Sequence, residues 1–267
     1  MPRCGGEGRR IMIRIEHIET PGGMVALAMI DRREKRNALT PDMLANLRDC
    51  AVRLREESHS TGPDGVRAVA IGGEGDVFCS GFDLSMCRDD DLAMGALLTR
   101  LSETVRAFRR LPIPVVIGVQ GGAIAGGCAL LGGADFVVVN ADAKLGYPVV
   151  RLGVSPAVAS PLLVRAVGAG RARERLLDPG LIDGREAARI GLAHECVPDS
   201  DGVRPRMMEI ATALAVKPPH AIRATKLWLN HVDGTGRDDE FDEALQASLS
   251  LCGSEEERER LAALWKG

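Results

Sequence analysis

Apolar positions recur along this chain in two rhythms, and the switches between them outline its elements. "IMIRIEHIET" (11–20) alternates apolar and polar residues, and "GMVALAMIDR" (23–32) follows after Pro21-Gly22-Gly23. Two such runs joined by a Pro-Gly-Gly turn predict a β-hairpin. From Asn37 the period changes. Met43, Leu44, Leu47, Cys50, Ala51 and Leu54 mark one helical face, Thr40 suits the N-cap and Pro41 the first helical position. "VRAVAIGG" (66–73), "PVVIGVQG" (114–121) and "DFVVVNAD" (135–142) are short continuous apolar runs that predict buried strands. Helical patterning covers 92–111, a small-residue stretch "AGGCALLGGA" (125–134), 156–168, 170–178 and 184–191. Beyond Pro198 the pattern is helical throughout, at 203–216, 218–231 and 238–266, with a break at Gly253. Strands alternating with helices predict an α/β class with parallel, repeatedly crossed-over strands. The domain organisation expected is a loose tail at 1–11, an α/β core at 12–200 and a helical module at 201–267.

Composition narrows the function classes. A length of 267 residues suits one large domain or a core with an appendage, and 45% apolar with 27% charged content is that of an ordinary globular protein. A net charge of −3 gives no electrostatic attraction to nucleic acid or an acidic membrane surface. Tyr147 is the single tyrosine, and aromatics total 3%, which leaves no platform for base stacking. The seven cysteines (4, 50, 79, 87, 128, 196, 252) are scattered without C-x-x-C spacing, so free thiols in a reducing cytoplasm are expected rather than disulfides or a metal site. No run reaches the ~18 apolar residues of a membrane span. "GGAIAGG" lacks a following Lys-Ser/Thr, so it is not a P-loop, and its mid-chain position argues against a Rossmann fingerprint.

Four segments, in order, resemble the enoyl-CoA hydratase/isomerase (crotonase) superfamily. "DRREKRNALT" is similar to the family's R-P-x-x-x-N-A-L, and "VFCSGFDLS" to A-F-C-A-G-A-D-L. "PVVIGVQGGAIAGGCALLGGADFVVVNADAKLGYPVVRLGVSP" resembles P-V-I-A-A-V-N-G-x-A-x-G-G-G-x-E-L-A-x-x-C-D followed by F-G-x-P-E-x-x-L-G. "LIDGREAARIGLAHECVP" resembles the segment L-T-G-x-x-x-x-A-x-E-A-x-x-x-G-L-V-x-x-V-V-P. The resemblance spans about residues 12–200. It implies a crotonase-like spiral of ββα units, a C-terminal helical trimerisation module and assembly as a homotrimer or dimer of trimers. It further implies an acyl-CoA thioester held by two backbone N–H groups, at Phe82 and Gly126. No cofactor is expected; coenzyme A enters as part of the substrate.

The backbone reading of Gly126 has physical support, because a helix start offers unpaired N–H groups to developing negative charge and a residue without Cβ allows close approach. The competing reading is that the glycines merely permit tight helix–strand packing. The positions where the family carries its acids are apolar here: Ala129, Val149 and Ala157. General acid–base groups are worth ~10²–10⁴ each, so ordinary hydratase chemistry is disfavoured. Tyr147 is a candidate substitute or else a pocket wall, and Arg151 is expected to make an ion pair. Asp83 is expected to cap the turn that presents the Phe82 amide, and Asp135 to be structural. Asp89, Asp90 and Asp91 read as an exposed loop, His194 as a surface residue, and Cys128 as a small apolar packer with a nucleophile as the alternative. For CoA, the resemblance implies Lys35 and Arg36 near phosphates, Ala38 as a backbone contact, and Lys226 reaching a neighbouring subunit's ligand, with Trp228 in the core or an interface. Two functions stand: a lyase or isomerase of the enoyl-CoA hydratase/isomerase kind with atypical proton transfer, or a non-catalytic acyl-CoA carrier or sensor.

Overall fold

A computed structural model describes residues 12–60, 62, 64–88 and 90–265; the expected tail, Cys4 and Asp89 lie outside the described residues. The first hairpin joins β1 (Ile13–Thr20) to β2 (Gly23–Ile30) in antiparallel register, Ile13 opposite Ile30 and Thr20 opposite Gly23. Gly22 sits in its turn because a Cβ there would lie 2.4 Å from the Ala215 carbonyl oxygen. The chain then forms α1 (Pro41–Glu57), capped by the Thr40 hydroxyl on the Met43 N–H, and buries the six positions its periodicity marks. β3 (Val66–Gly73), α2 (Ala93–Arg109) and β4 (Val115–Val119) follow.

From β4 onward strands come in pairs that part company. β4 enters the main sheet while β5 (Gly122–Ile124) pairs with β7 (Lys144–Gly146) in a small second sheet; between them come α3 (Gly126–Leu130) and β6 (Phe136–Asn140), the latter in the main sheet. After β7 come α4 (Ser160–Leu177), α5 (Gly184–Arg189) and β8 (Glu195–Val197). The main sheet runs β1-β2-β3-β4-β6-β8, parallel from β2 onward. It is thus a mixed sheet in an α/β fold. The two helical patterns expected around residue 169 form α4, whose helical backbone is interrupted at Gly168 (φ 78°, ψ 158°).

The last helices are α6 (Val203–Ala215), α7 (Pro219–Val232), α8 (Asp239–Leu249) and α9 (Glu255–Leu264), the final pair separated at Gly253 with φ 75°. Met207, Ala211 and Ala215 of α6 cover Val25, Leu27, Met29, Ala68, Ala70 and Val116 on one face of the sheet. The opposite face carries the main core with α1 and α2. α8 lies against α2 and a turn at Pro156–Ala159, and α9 against a turn at Pro148–Leu152. No helix among the described residues is long and apolar enough to cross a membrane.

Candidate active site

Residues 36–39, 79–83, 122–125 and 144–146 are stitched side by side into the layer that carries the site. Ser80 N–H donates to the Arg36 carbonyl (3.0 Å), Leu39 N–H to Gly81 (2.7 Å) and Asp83 N–H to Leu39 (2.9 Å). Cys79 N–H donates to Gly122 and Ile124 N–H to Cys79, while Ala125 N–H reaches Gly146 at 2.8 Å. This bonding pattern uses the Asp83 amide that follows Phe82 and the Ala125 amide that precedes Gly126, and the Phe82 and Gly126 N–H groups have no acceptor among the described residues. Gly126 is the first residue of α3, where a helix has no internal acceptor for its N–H. Both residues line one cavity of about 160 Å³.

Two turns hold the donors in place. Ala125, immediately before α3, has φ 51° and ψ −114°, a conformation that costs a residue with a Cβ of order 1–3 kcal/mol. The strain is local to the turn that aims the Gly126 amide. On the other strand Gly81 has φ 101° and would bring a Cβ to 3.1 Å from the Ile124 carbonyl oxygen. Asp83 accepts from the Ser85 hydroxyl (2.6 Å) and N–H (3.3 Å) and pairs with Arg32 at 2.7 Å. Burial pushes its carboxyl up, but the Ser85 and Arg32 hydrogen bonds and the Arg32 charge prevail and hold it below the usual value. Its place is therefore that of a turn-fixing residue.

The Phe82 ring packs against Gly126: a Cβ at 126 would sit 2.6 Å from Phe82 Cε1. The absent Cβ makes room for this ring. The remaining lining is apolar except for Ser80, Tyr147 and Ser155. Ala129 and Val149 line the cavity, whereas Ala157 does not, its neighbours Pro156 and Val158 doing so instead. Tyr147 is 4% exposed and its hydroxyl donates to the Cys128 carbonyl at a long 3.5 Å. Burial lifts its phenol well above the ordinary value, so it stays protonated. The Cys79 and Cys128 thiols are fully buried and pushed by that burial up to about 12, which removes the nucleophile alternative at Cys128.

The residues expected to meet CoA separate. Lys35 and Arg36 are exposed, on a turn where Arg36 and Asn37 are left-handed (φ 50° and 56°). Ala38 is buried; its N–H donates to the Lys35 carbonyl and its own carbonyl accepts from Arg32 at 2.9 Å. Lys226 corrects the expectation placed on it. Its ammonium is buried and donates to Asp135 (2.6 Å) and the Ile113 carbonyl (2.7 Å), so it ties α7 to the core instead of facing a ligand. Asp135 also accepts from Val115 N–H, as a structural carboxylate does. Trp228 is 63% exposed and stacks on His231, so it is not in this chain's core. Arg151, Asp90, Asp91 and His194 are exposed, with His194 Nδ1 accepting from Val137 N–H.

Two residues that the motif reading passed over hold the layer together. Asn37, fully buried, donates to the carbonyls of Glu74 (2.9 Å) and Val77 (2.8 Å) and accepts from Arg32 N–H. Arg32 bridges Ala38 to Asp83. The signal available in the sequence was a lone amide before an apolar pair, and an arginine and an aspartate of opposite charge in two matching segments.

The model of the enoyl-CoA hydratase/isomerase family matches residues 20–257. The chain belongs to the enoyl-CoA hydratase/isomerase family. Among its relatives within this family, a crotonyl-CoA hydratase of Syntrophomonas wolfei is 28% identical, covering 86% of this chain and 85% of its own. A short-chain-enoyl-CoA hydratase of Clostridium acetobutylicum is 30% identical over 78% of both chains. The crystal structure of an enoyl-CoA hydratase/isomerase from Xanthobacter autotrophicus Py2 superposes with a TM-score of 0.84 at 28% identity, covering 96% of this chain and 93% of that one.

Proposed function

We propose that this chain binds acyl-CoA thioesters in the 160 Å³ cavity and stabilises the enolate form through the N–H groups of Phe82 and Gly126. The observation that carries the reading is the pair of acceptor-free amides on one apolar wall, aimed by a strained turn at Ala125. Backbone donors fixed in this way are worth ~10²–10³ in rate each. The reaction is of the lyase or isomerase kind that its relatives are named for, without the family's usual acids: Ala129 and Val149 stand at the cavity, and Tyr147 is its one proton-bearing side chain besides two serines. That lining also favours a second reading, a non-catalytic carrier or sensor.

One paired measurement separates the readings: calorimetric binding of crotonyl-CoA and longer acyl-CoAs beside a hydration assay. Binding with turnover supports the enzyme; binding with no rate above buffer leaves the carrier. If no acyl-CoA binds, both readings fail.

The spiral of ββα units belongs to the same proposal, supported by the β4–β5 and β6–β7 pairs, each of which sends its first strand to one sheet and its second to the other. Assembly as a homotrimer or dimer of trimers is supported by the apolar outer side of α7, where Leu227, Trp228, Leu229 and Val232 are 47–66% exposed. Sedimentation equilibrium tests it. Residence in the cytoplasm suits the free buried thiols Cys50, Cys79, Cys87 and Cys128.

A further inference from the structure

A second, larger cavity of about 570 Å³ adjoins the first. Ala129, Tyr147, Val158 and Ala159 line both, so the partition there is a single residue thick. Two of its four members are alanines. A third, Tyr147, is packed in the core, and its hydroxyl makes a long 3.5 Å hydrogen bond to the Cys128 carbonyl. The smaller space is close in size to an apolar cavity of ~150 Å³ that accepts a benzene-sized guest. By that measure it has room for about six carbons of an acyl group.

The larger cavity is lined by apolar Leu131, Leu162 and Leu163 and by polar Arg109, Asp135 and Asp233. An apolar chain entering from the first cavity would find these leucines to pack against. Ala129 stands on that path. A carboxylate at this point would put an ion among methylenes, at the cost of desolvating it. The alanine leaves the passage apolar, so the lost acid and the open route are one feature.

Building on the acyl-CoA reading above, we infer that the acyl chain runs past Ala129 and Ala159 into the larger cavity. The ligand class is then a medium-chain acyl-CoA, about eight to ten carbons, in place of a crotonyl-sized one. The test is a calorimetric series of saturated butyryl-, hexanoyl-, octanoyl- and decanoyl-CoA. Each fully buried methylene adds about fourfold in affinity, which makes about 250-fold the ceiling for the four extra carbons of octanoyl-CoA; burial of even half of them should make it bind at least tenfold tighter than butyryl-CoA. Two variants narrow the route from its two ends: Ala129→Leu at the partition and Ala166→Trp, at an exposed α4 position that lines only the larger cavity. Each should lower the octanoyl-to-butyryl affinity ratio at least fivefold. An affinity that levels off at hexanoyl while butyryl-CoA still binds overturns the tail route and leaves the acyl-CoA reading standing. A rising series whose ratio both variants leave unchanged also overturns it, because the chain then leaves by another path. Failure of every acyl-CoA to bind overturns the reading beneath it as well.

Discussion

Replacing Gly126 by alanine tests the contact between the donor glycine and the Phe82 ring. The new Cβ would lie 2.6, 3.0 and 3.3 Å from Phe82 Cε1, Cδ1 and Cζ. Ordinary carbon contacts fall at ~3.5–4.0 Å, so the ring must retreat by about 1 Å at its nearest atom. It borders the 160 Å³ cavity, and retreat into that space would crowd the acyl group. Overpacking of this sort costs ~1–3 kcal/mol. Phe82→Ala removes the obstacle, so Gly126→Ala should cost much less in that background, with a coupling energy of ~1–2 kcal/mol. Urea unfolding of the wild type, both single variants and the double variant measures this, provided the slope m stays constant. Binding of butyryl-CoA should fall at least tenfold in Gly126→Ala and partly return in the double variant, since both N–H groups persist throughout. Stability losses that add within about 0.5 kcal/mol would refute the contact as the cause.

Four further outcomes follow from the geometry. Asp83 has a folded-state pKa below its usual 3.8, so its contribution is present above that value and lost as pH falls through the lower one. Asp83→Asn should therefore cost ~1.5–3 kcal/mol at pH 7, a difference that shrinks on acid titration below pH ~4; a pH-independent loss contradicts it. Lys226→Met takes the ammonium from the half-buried Asp135 carboxylate, which keeps the Val115 N–H, and should cost ~1–3 kcal/mol in denaturant unfolding, with acyl-CoA affinity held within about twofold; a large loss of affinity without loss of stability would return Lys226 to the ligand. Ala125→Gly should hold or raise the melting temperature, because relief at φ 51° offsets the ~0.5–1 kcal/mol that glycine ordinarily costs, and a clear drop would mean the turn is unstrained. Ala129→Glu with Val149→Glu should confer crotonyl-CoA hydration on the intact donor pair, measured by loss of enoyl absorbance; folded protein with no activity argues that the cavity itself has diverged.

Much of this arrangement is legible in one dimension. The α1 face, the Thr40 cap and the hairpin at Pro21–Gly22 follow from local periodicity and turn chemistry, which the tertiary structure leaves untouched. β5 and β8 escape because three residues cannot display a period. The glycine pair marks the donor turn, yet the Phe82 ring across Gly126 comes from a segment more than forty residues away, and no spacing rule reports it. Lys226 misleads for a similar reason. The resemblance sends this helical lysine toward a neighbouring subunit's ligand, whereas the packing of α7 against the end of α2 turns it inward to Asp135. The second cavity is invisible to motif reading because α4, β6 and the β7 turn meet there only in three dimensions.

The seating of α6 on the sheet bears on how the chain reaches this state. Val25, Leu27 and Met29 emerge about 180 residues before Met207, Ala211 and Ala215, which cover them. Gly22 can close against Ala215 only then as well. A nascent chain must therefore carry one bare hydrophobic sheet face through that whole interval, at roughly 5–20 residues per second. Stalled or prematurely terminated products that lack α6 are the aggregation-prone species of this protein, and their clearance depends on whatever binds that uncovered face first.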